Sequence, residues 1–290
     1  MQPPFPSPTP TWHNDIYPDI EYTAGGVSHE GETVIVTGAG SGIGRETAIA
    51  FATAGAKQLV LMGRTLATLE ETASLVSKAR DGVQVSVLEV DVSNEAAVAD
   101  AVAKISTWNV VVHGAGYITS PVPASQSNID EYWKCYETNV KSTILLAKYL
   151  LPKASSERNA SFLTMTAGGI QFPTEMLVGN SAYLVSKLAL AKTTEFLAVE
   201  NPNVFFASVH PGAVDTKIFR GSGATLDMMP MDTPKLAAGF MLWITKPEAK
   251  FLSGKTVWAN WDVTELKAMK ETITTTNKLN IGLAGWPFTA

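Results

Sequence analysis

From Thr33 onward, short apolar runs alternate with stretches of helical spacing, and this alternation restricts the fold more than any other feature of the chain. The runs are TVIVT (33–37), QLVLM (58–62), VQVSVLEV (83–90), WNVVVH (108–113), ASFLTMT (160–166), NVFFASVH (203–210) and KTVWA (255–259). Most are apolar without a break, the pattern of strands buried on both faces of a parallel sheet. Helix candidates lie between them at 43–54, 65–79, 94–106, 128–151 and 182–199, with Thr65 placed to cap the second. Strand–helix repetition with right-handed crossovers implies an α/β fold, a doubly wound and mostly parallel sheet of about seven strands flanked by helices.

The ends depart from this rhythm. Residues 1–30 are rich in Pro, Ser and Thr and read as an extended arm, mobile or laid against the surface. Residues 31–262 read as one dinucleotide-binding catalytic domain, and 263–290 as a C-terminal helix, within DVTELKAMKETI, followed by a tail. Segment 217–234, KIFRGSGATLDMMPMDTP, follows the sixth run, where such sheets bind ligands, and reads as a substrate lid. Its methionines suit an adaptable apolar cover.

Composition excludes several classes. The 290 residues carry a net charge of −5 and no Lys/Arg block, which argues against nucleic acid as a partner. No apolar run approaches the roughly 18 residues of a membrane span, and the N-terminus lacks the basic start and apolar core of a signal peptide. The single cysteine, Cys135, reads as a helix-packing residue. The four histidines lack metal-ligand spacing, so no metal is expected. These features favour a reducing, cytoplasmic setting.

The first run leads into Gly38-Ala39-Gly40-Ser41-Gly42-Ile43-Gly44, four glycines within seven positions. A strand turning sharply into a helix needs positions without a Cβ. The helix N-terminus then offers free N–H groups and partial positive charge to a pyrophosphate that must touch the backbone. In an NAD site, an acid about 20 residues further on bonds the ribose 2′-hydroxyl. Here that place holds Arg64, and no acid occurs from Thr47 to Leu69. A guanidinium suits a 2′-phosphate, with hydroxyls available from Thr65 and Ser41, so NADP(H) is favoured over NAD(H). Asp91, just past the third run, is placed either to reach an adenine amino group or to cap the next helix. Gly114, Ala115 and Gly116 close the fourth run with small residues that permit close approach.

Tyr183 and Lys187 stand four apart in SAYLVSKLAL, on one face of a helix. A phenol near pKa 10 is a poor acid–base group at neutral pH. An ammonium about 5 Å away would favour the phenolate by roughly 3 kcal/mol, bringing Tyr183 toward a useful range.

TGAGSGIG, DV at 91–92, HGAG, TNV at 138–140, Tyr183-x-x-x-Lys187 and HPGAVDT at 210–216, in that order, resemble the short-chain dehydrogenase/reductase family with its Rossmann fold. The arm, WANWDVTEL and the GWP tail are similar to a subgroup common among fungal members, which points to secondary metabolism. The resemblance implies that Tyr183 gives or takes the proton at the substrate oxygen. It implies that Lys187 bonds the nicotinamide ribose and lowers the Tyr183 pKa, and that Asn139 supports a water linked to that lysine. Val92 falls at a cofactor position, and Pro211, Gly212, Val214 and Thr216 match the segment that holds the nicotinamide carboxamide. The family's serine is replaced by Thr166, 17 residues before Tyr183 rather than about 13, which implies an insertion beside the substrate; Thr164 is the runner-up for the hydroxyl. His113 stands where asparagine is frequent and receives no catalytic role. Family members are often dimers or tetramers, so a homo-oligomer is expected.

The leading expectation is an NADP(H)-dependent oxidoreductase interconverting a ketone and a secondary alcohol on a small to medium, partly apolar molecule. Phe172, Met176, Met228, Met229 and Met231 are the candidate pocket residues. Two readings compete: a non-redox cyclase or isomerase on the same fold, and a cofactor-binding regulatory protein without turnover.

Overall fold

The computed structural model describes residues 2–23, 26–156 and 160–283. The GWP tail, 285–287, lies outside them. Seven strands are present: β1 (Thr33–Thr37), β2 (Gln58–Gly63), β3 (Gln84–Glu89), β4 (Val110–His113), β5 (Ala160–Met165), β6 (Val204–His210) and β7 (Lys255–Trp258). They form one sheet in the order β3-β2-β1-β4-β5-β6-β7, every neighbouring pair parallel. The order reverses between β1 and β4, so the carboxyl ends of these two strands border a crevice, where open α/β sheets bind ligands. Each of the seven apolar runs is a strand.

The pleat sends alternate side chains to two cores. Val34 and Val36 of β1 join Val110, Val112 and Leu163 on one face, while Ile35 joins Val111 and Phe162 on the other. Edge strand β3 departs from the expectation of burial on both faces: its ends are exposed and its middle is half-buried. With one neighbour instead of two, it keeps a solvated side.

The helices α1 (Gly42–Thr53), α2 (Leu66–Ala79) and α3 (Glu95–Ala103) follow the first three strands. The expected continuous helix over 128–151 is divided. It runs as α4 (Ile129–Tyr136), a π-helical turn over Glu137–Lys141, and α5 (Ser142–Leu150). Next come α6 (Ser181–Glu200), the short α7 (Lys217–Gly221) and α8 (Pro234–Ile244). Segment 262–273, expected as one helix, breaks at Met269 into α9 (Val263–Ala268) and α10 (Lys270–Thr275). No helix among the described residues is long and apolar enough to cross a membrane.

The N-terminal arm is laid down and stapled. Trp12 forms an antiparallel bridge with Trp261, and the His13 amide donates to the Asn260 carbonyl at 2.9 Å. Thr11 donates through its amide and hydroxyl to Glu265 at 3.0 and 2.6 Å. The His13 ring stacks on Tyr17 at 3.6 Å. Further along, a single 3₁₀ turn at Pro18–Ile20 buries Ile20 completely and crosses α8 at Gly239, where a Cβ would stand 2.8 Å from the Ile20 carbonyl oxygen.

Candidate active site

A cavity of about 940 Å³ opens beyond the carboxyl edge of the sheet, at the top of the range of roughly 300–1,000 Å³ for small-molecule sites. One end is the glycine turn and the start of α1. Gly38 has φ +68°, and a Cβ there would lie 2.8 Å from the Ala115 nitrogen; a Cβ on Gly44 would overlap the Gly38 carbonyl. Both positions are therefore bare because the turn packs on protein, a reason beyond the approach of a phosphate. The carbonyls of the turn are held from outside: Thr72 Oγ1 donates to Ala39 at 2.9 Å and Arg45 Nη2 to Gly40 at 2.6 Å. Ser41 occupies the N-cap of α1 without a side-chain cap bond, so the first-turn amides are left to the cavity. An uncapped helix start of this kind fits a pyrophosphate.

Along the same wall stand Ser41, Gly42, Ile43, Arg64, Thr65, Asp91 and Val92. Arg64 is exposed and makes no hydrogen bond or ion pair among the described residues. Thr65 takes the N-cap position of α2, but its side chain makes no cap bond, contrary to expectation; its hydroxyl stays free. Asp91 does not cap α3 either. Asn94 does, accepting from the Ala97 amide at 3.0 Å. Asp91 Oδ1 instead accepts the Ser93 amide and hydroxyl at 2.9 and 2.7 Å. Burial pushes its carboxyl up, and the Ser93 bonds with the Arg64 charge outweigh this and hold it below the ordinary value.

Gly114, Ala115 and Gly116 form the floor. A directional chain of hydrogen bonds supports it. The Ala115 amide donates to Thr37 Oγ1, which donates to His113 Nδ1; His113 Nε2 donates to Ser142, which donates to the Thr138 carbonyl. Burial pulls the His113 pKa down to about 3, with Lys187 adding to the effect, so the ring stays neutral. His113 is thus a structural link between the floor and the π-helical turn. That turn carries Asn139, fully buried, whose side chain accepts from the Tyr117 amide and donates to the Tyr117 carbonyl and to Ser186 Oγ, each at 2.9 Å.

Tyr183 and Lys187 lie on the buried face of α6, and both line the cavity. Lys187 Nζ donates to the Met165 carbonyl at 2.7 Å and sits 5.8 Å from the Tyr183 ring centroid. A Cβ on Gly116 would press on Ile218 at 3.2 Å and come into ordinary contact with Asn139 and Lys187 Nζ. The expected lowering of the phenol is absent. Burial raises the Tyr183 pKa above its ordinary value, with Cys135 adding to it, while burial brings Lys187 down to about 8. Desolvation is the largest influence on both groups; it favours the neutral phenol and moves the lysine toward neutrality.

Thr166 lines the cavity, its Oγ1 donating to the Lys187 carbonyl at 3.2 Å. Thr164 lies deeper, fully buried and bonded to Thr194 at 2.9 Å, away from the cavity lining. The long gap before Tyr183 is taken up by 3₁₀ turns at Gly168–Gln171 and Thr174–Leu177. Pro211, Gly212, Val214 and Thr216 line the opposite wall. Beneath them Asp232 accepts the Ala213 amide at 2.6 Å, Asn14 at 2.5 Å and Asn260 at 2.9 Å, joining this loop to the arm and to the end of β7. Among the candidate pocket residues Phe172, Met176, Met228 and Met229 line the cavity, while Met231 does not. Sequence reasoning missed Phe5, Trp12, His210 and Trp258. The proline spacing of the arm carries no periodicity that would bring Phe5 and Trp12 there.

The sequence profile of the short chain dehydrogenases matches residues 32–227. A short chain dehydrogenase, mpl6, of Monascus purpureus is 36% identical, the match covering 96% of this chain and 98% of that protein. A short chain dehydrogenase/reductase of Claviceps purpurea is 32% identical over 96% of this chain and 95% of its own length. Among solved structures, the oxidoreductase yciK from E. coli superposes with a TM-score of 0.74 at 25% identity, covering 82% of this chain and 98% of that one. Matching turn, floor, Tyr-x-x-x-Lys helix and sheet order, together with relatives aligned along nearly the whole length, the chain belongs to the short-chain dehydrogenase/reductase family of oxidoreductases acting on CH–OH and C=O groups.

Proposed function

We propose that the cavity binds NADP(H) and interconverts a ketone and a secondary alcohol on a small to medium, partly apolar molecule. The observation that carries this reading is a single cavity lined at one end by the uncapped start of α1 and at the other by Tyr183 and Lys187 on one helix face. The residues fit the cofactor. The α1 amides and Ser41 suit the pyrophosphate, the unengaged Arg64 and Thr65 a 2′-phosphate, Asp91 the adenine amino group, and the Pro211–Thr216 loop the carboxamide. When bound, the nicotinamide supplies or accepts the hydride.

The chain handles the proton. Tyr183, kept a phenol by burial, holds the proton at Oη and gives it to the substrate oxygen during reduction. The adjacent Lys187 ammonium stabilises the phenolate left behind, an electrostatic task suited to a water-poor site. Thr166 Oγ1 turns from the Lys187 carbonyl to bond the substrate oxygen. Asn139 holds the Tyr117 main chain and Ser186 so that the lysine face of α6 keeps its position.

The fungal relatives support a role in secondary metabolism. Exposed apolar side chains on α4, α5 and α6 (Ile129, Trp133, Ile144, Phe196 and Val199) support self-association as a homodimer or homotetramer. The test is consumption of NADPH with a panel of ketones. Wild-type protein is expected to turn over, and Tyr183→Phe to lose about 10²–10⁴-fold in kcat while still binding NADPH. Turnover without cofactor consumption would sink the redox reading.

A further inference from the structure

The end of the cavity away from the glycine turn is walled by aromatic rings from distant parts of the chain. Phe5 and Trp12 come from the arm, Phe172 directly follows the first 3₁₀ turn after β5, and Trp258 comes from the end of β7. Their rings form one connected set. Phe5 lies 4.7 Å from Phe172 and 6.5 Å from Trp12, and Trp258 lies 5.8 Å from Trp12 and 6.1 Å from Phe172. Trp258 is fixed from behind by Trp261, stacked at 6.0 Å with planes 5° apart. The opposite rim is built from Met176, Met228 and Met229, side chains that adapt to whatever they meet.

His210 adds a polar group to the rigid side. It lines the cavity edge-on to Trp258 at 4.5 Å, and its Nδ1 accepts the Gly168 amide at 3.0 Å. Accepting there fixes the tautomer: in the neutral ring the proton sits on Nε2. Among the described residues Nε2 makes no protein hydrogen bond, and it lies beside Gly168, where a Cβ would stand 2.9 Å from it.

We propose that this wall is a subsite for a planar aromatic ring bearing an oxygen substituent, with Phe5, Trp12, Phe172 and Trp258 around the ring and His210 Nε2–H donating to the oxygen. The substrate is then an aromatic ketone or aryl-substituted alcohol, and the N-terminal arm is part of the active site. A wall of fixed rings favours a flat partner that meets them edge-to-face or offset, and gives less to a puckered saturated ring of equal size. This rests on reading the cavity as a site of carbonyl reduction.

The experiment compares β-tetralone with β-decalone, two fused-ring ketones of similar size that differ in aromaticity. Wild-type kcat/KM is expected to favour β-tetralone. Phe5→Ala and Phe5→Leu should each lower it about tenfold for β-tetralone, chiefly through KM, and by a smaller factor for β-decalone. Phe5→Leu keeps the bulk and guards against loss of folding, checked by the unchanged melting midpoint. A methoxy group on the aromatic ring of β-tetralone should improve kcat/KM for wild type and not for His210→Phe. Equal losses on both ketones, no loss, or a gain from removing Phe5 would overturn the wall. If wild type reduces neither ketone, the redox reading is judged by the wider ketone panel, and the wall by quenching of tryptophan fluorescence with β-naphthol. Binding weakened in Phe5→Ala supports the wall; absent or unchanged binding overturns it.

Discussion

At Lys187 burial and charge pull in opposite directions. Burial lowers its pKa to about 8 from 10.5, so at pH 7 the folded protein holds a desolvated ammonium that the unfolded chain would hold in water. A drop of that size is equivalent to roughly 3 kcal/mol. Between pH 8 and 10.5 the unfolded state binds more protons, so this group makes stability rise with pH across that window and penalises the fold fully below it. Lys187→Met should therefore abolish turnover yet raise the melting midpoint at pH 7 by a few degrees. The gain should shrink as pH rises above 8; thermal melts at a series of pH values check both. Arg64 has no such conflict, being exposed and unengaged. Arg64→Ala should weaken NADP(H) binding about tenfold or more, as expected for loss of a charged hydrogen bond, and leave NAD(H) nearly unchanged; equal losses in paired titrations would refute the 2′-phosphate assignment. Thr166→Ser should keep most activity and Thr166→Val lose about a hundredfold in kcat. An active valine variant would move the hydroxyl role elsewhere.

At the scale of elements, what could be read depended on periodicity. Most of the seven strands are unbroken apolar runs between turns and announce themselves, while the edge strand β3 alternates polar and apolar residues. Helix α8 escaped because Leu236 to Ile244 are all buried, which leaves no polar face and hence no helical period. Its start was legible in retrospect: Thr233 caps the Leu236 amide and Pro234 takes the first turn. The π-helical turn that carries Asn139 has no comparable sign in the sequence: the partners of Asn139, Tyr117 and Ser186, lie 22 and 47 residues away. The close crossing at Gly239 yields a prediction. Ala is the better helix former by about 1 kcal/mol, yet Gly239→Ala should destabilise the protein by about 1–3 kcal/mol, because its methyl meets the Ile20 carbonyl at 2.8 Å. Chemical denaturation reads the sign directly.

Across the whole molecule, the Tyr183–Lys187 pair and the glycine turn were legible because short motifs carry them. The aromatic end of the cavity was not, because it assembles from segments far apart in the chain. His13 reaches Asp262 across 249 residues, and Asn14 and Asn260 converge on the same Asp232. Contacts of such separation form late, after the loop between them has closed. The arm is made long before the strand at Lys255–Trp258 and must wait for it, and for the residues just after it, before its contacts there can form. A nascent chain therefore has no finished pocket until the strand at Lys255–Trp258 and the residues just after it have been made. Translation that stops short of them leaves Thr11, Trp12 and His13 without their partners at Asn260, Trp261, Asp262 and Glu265.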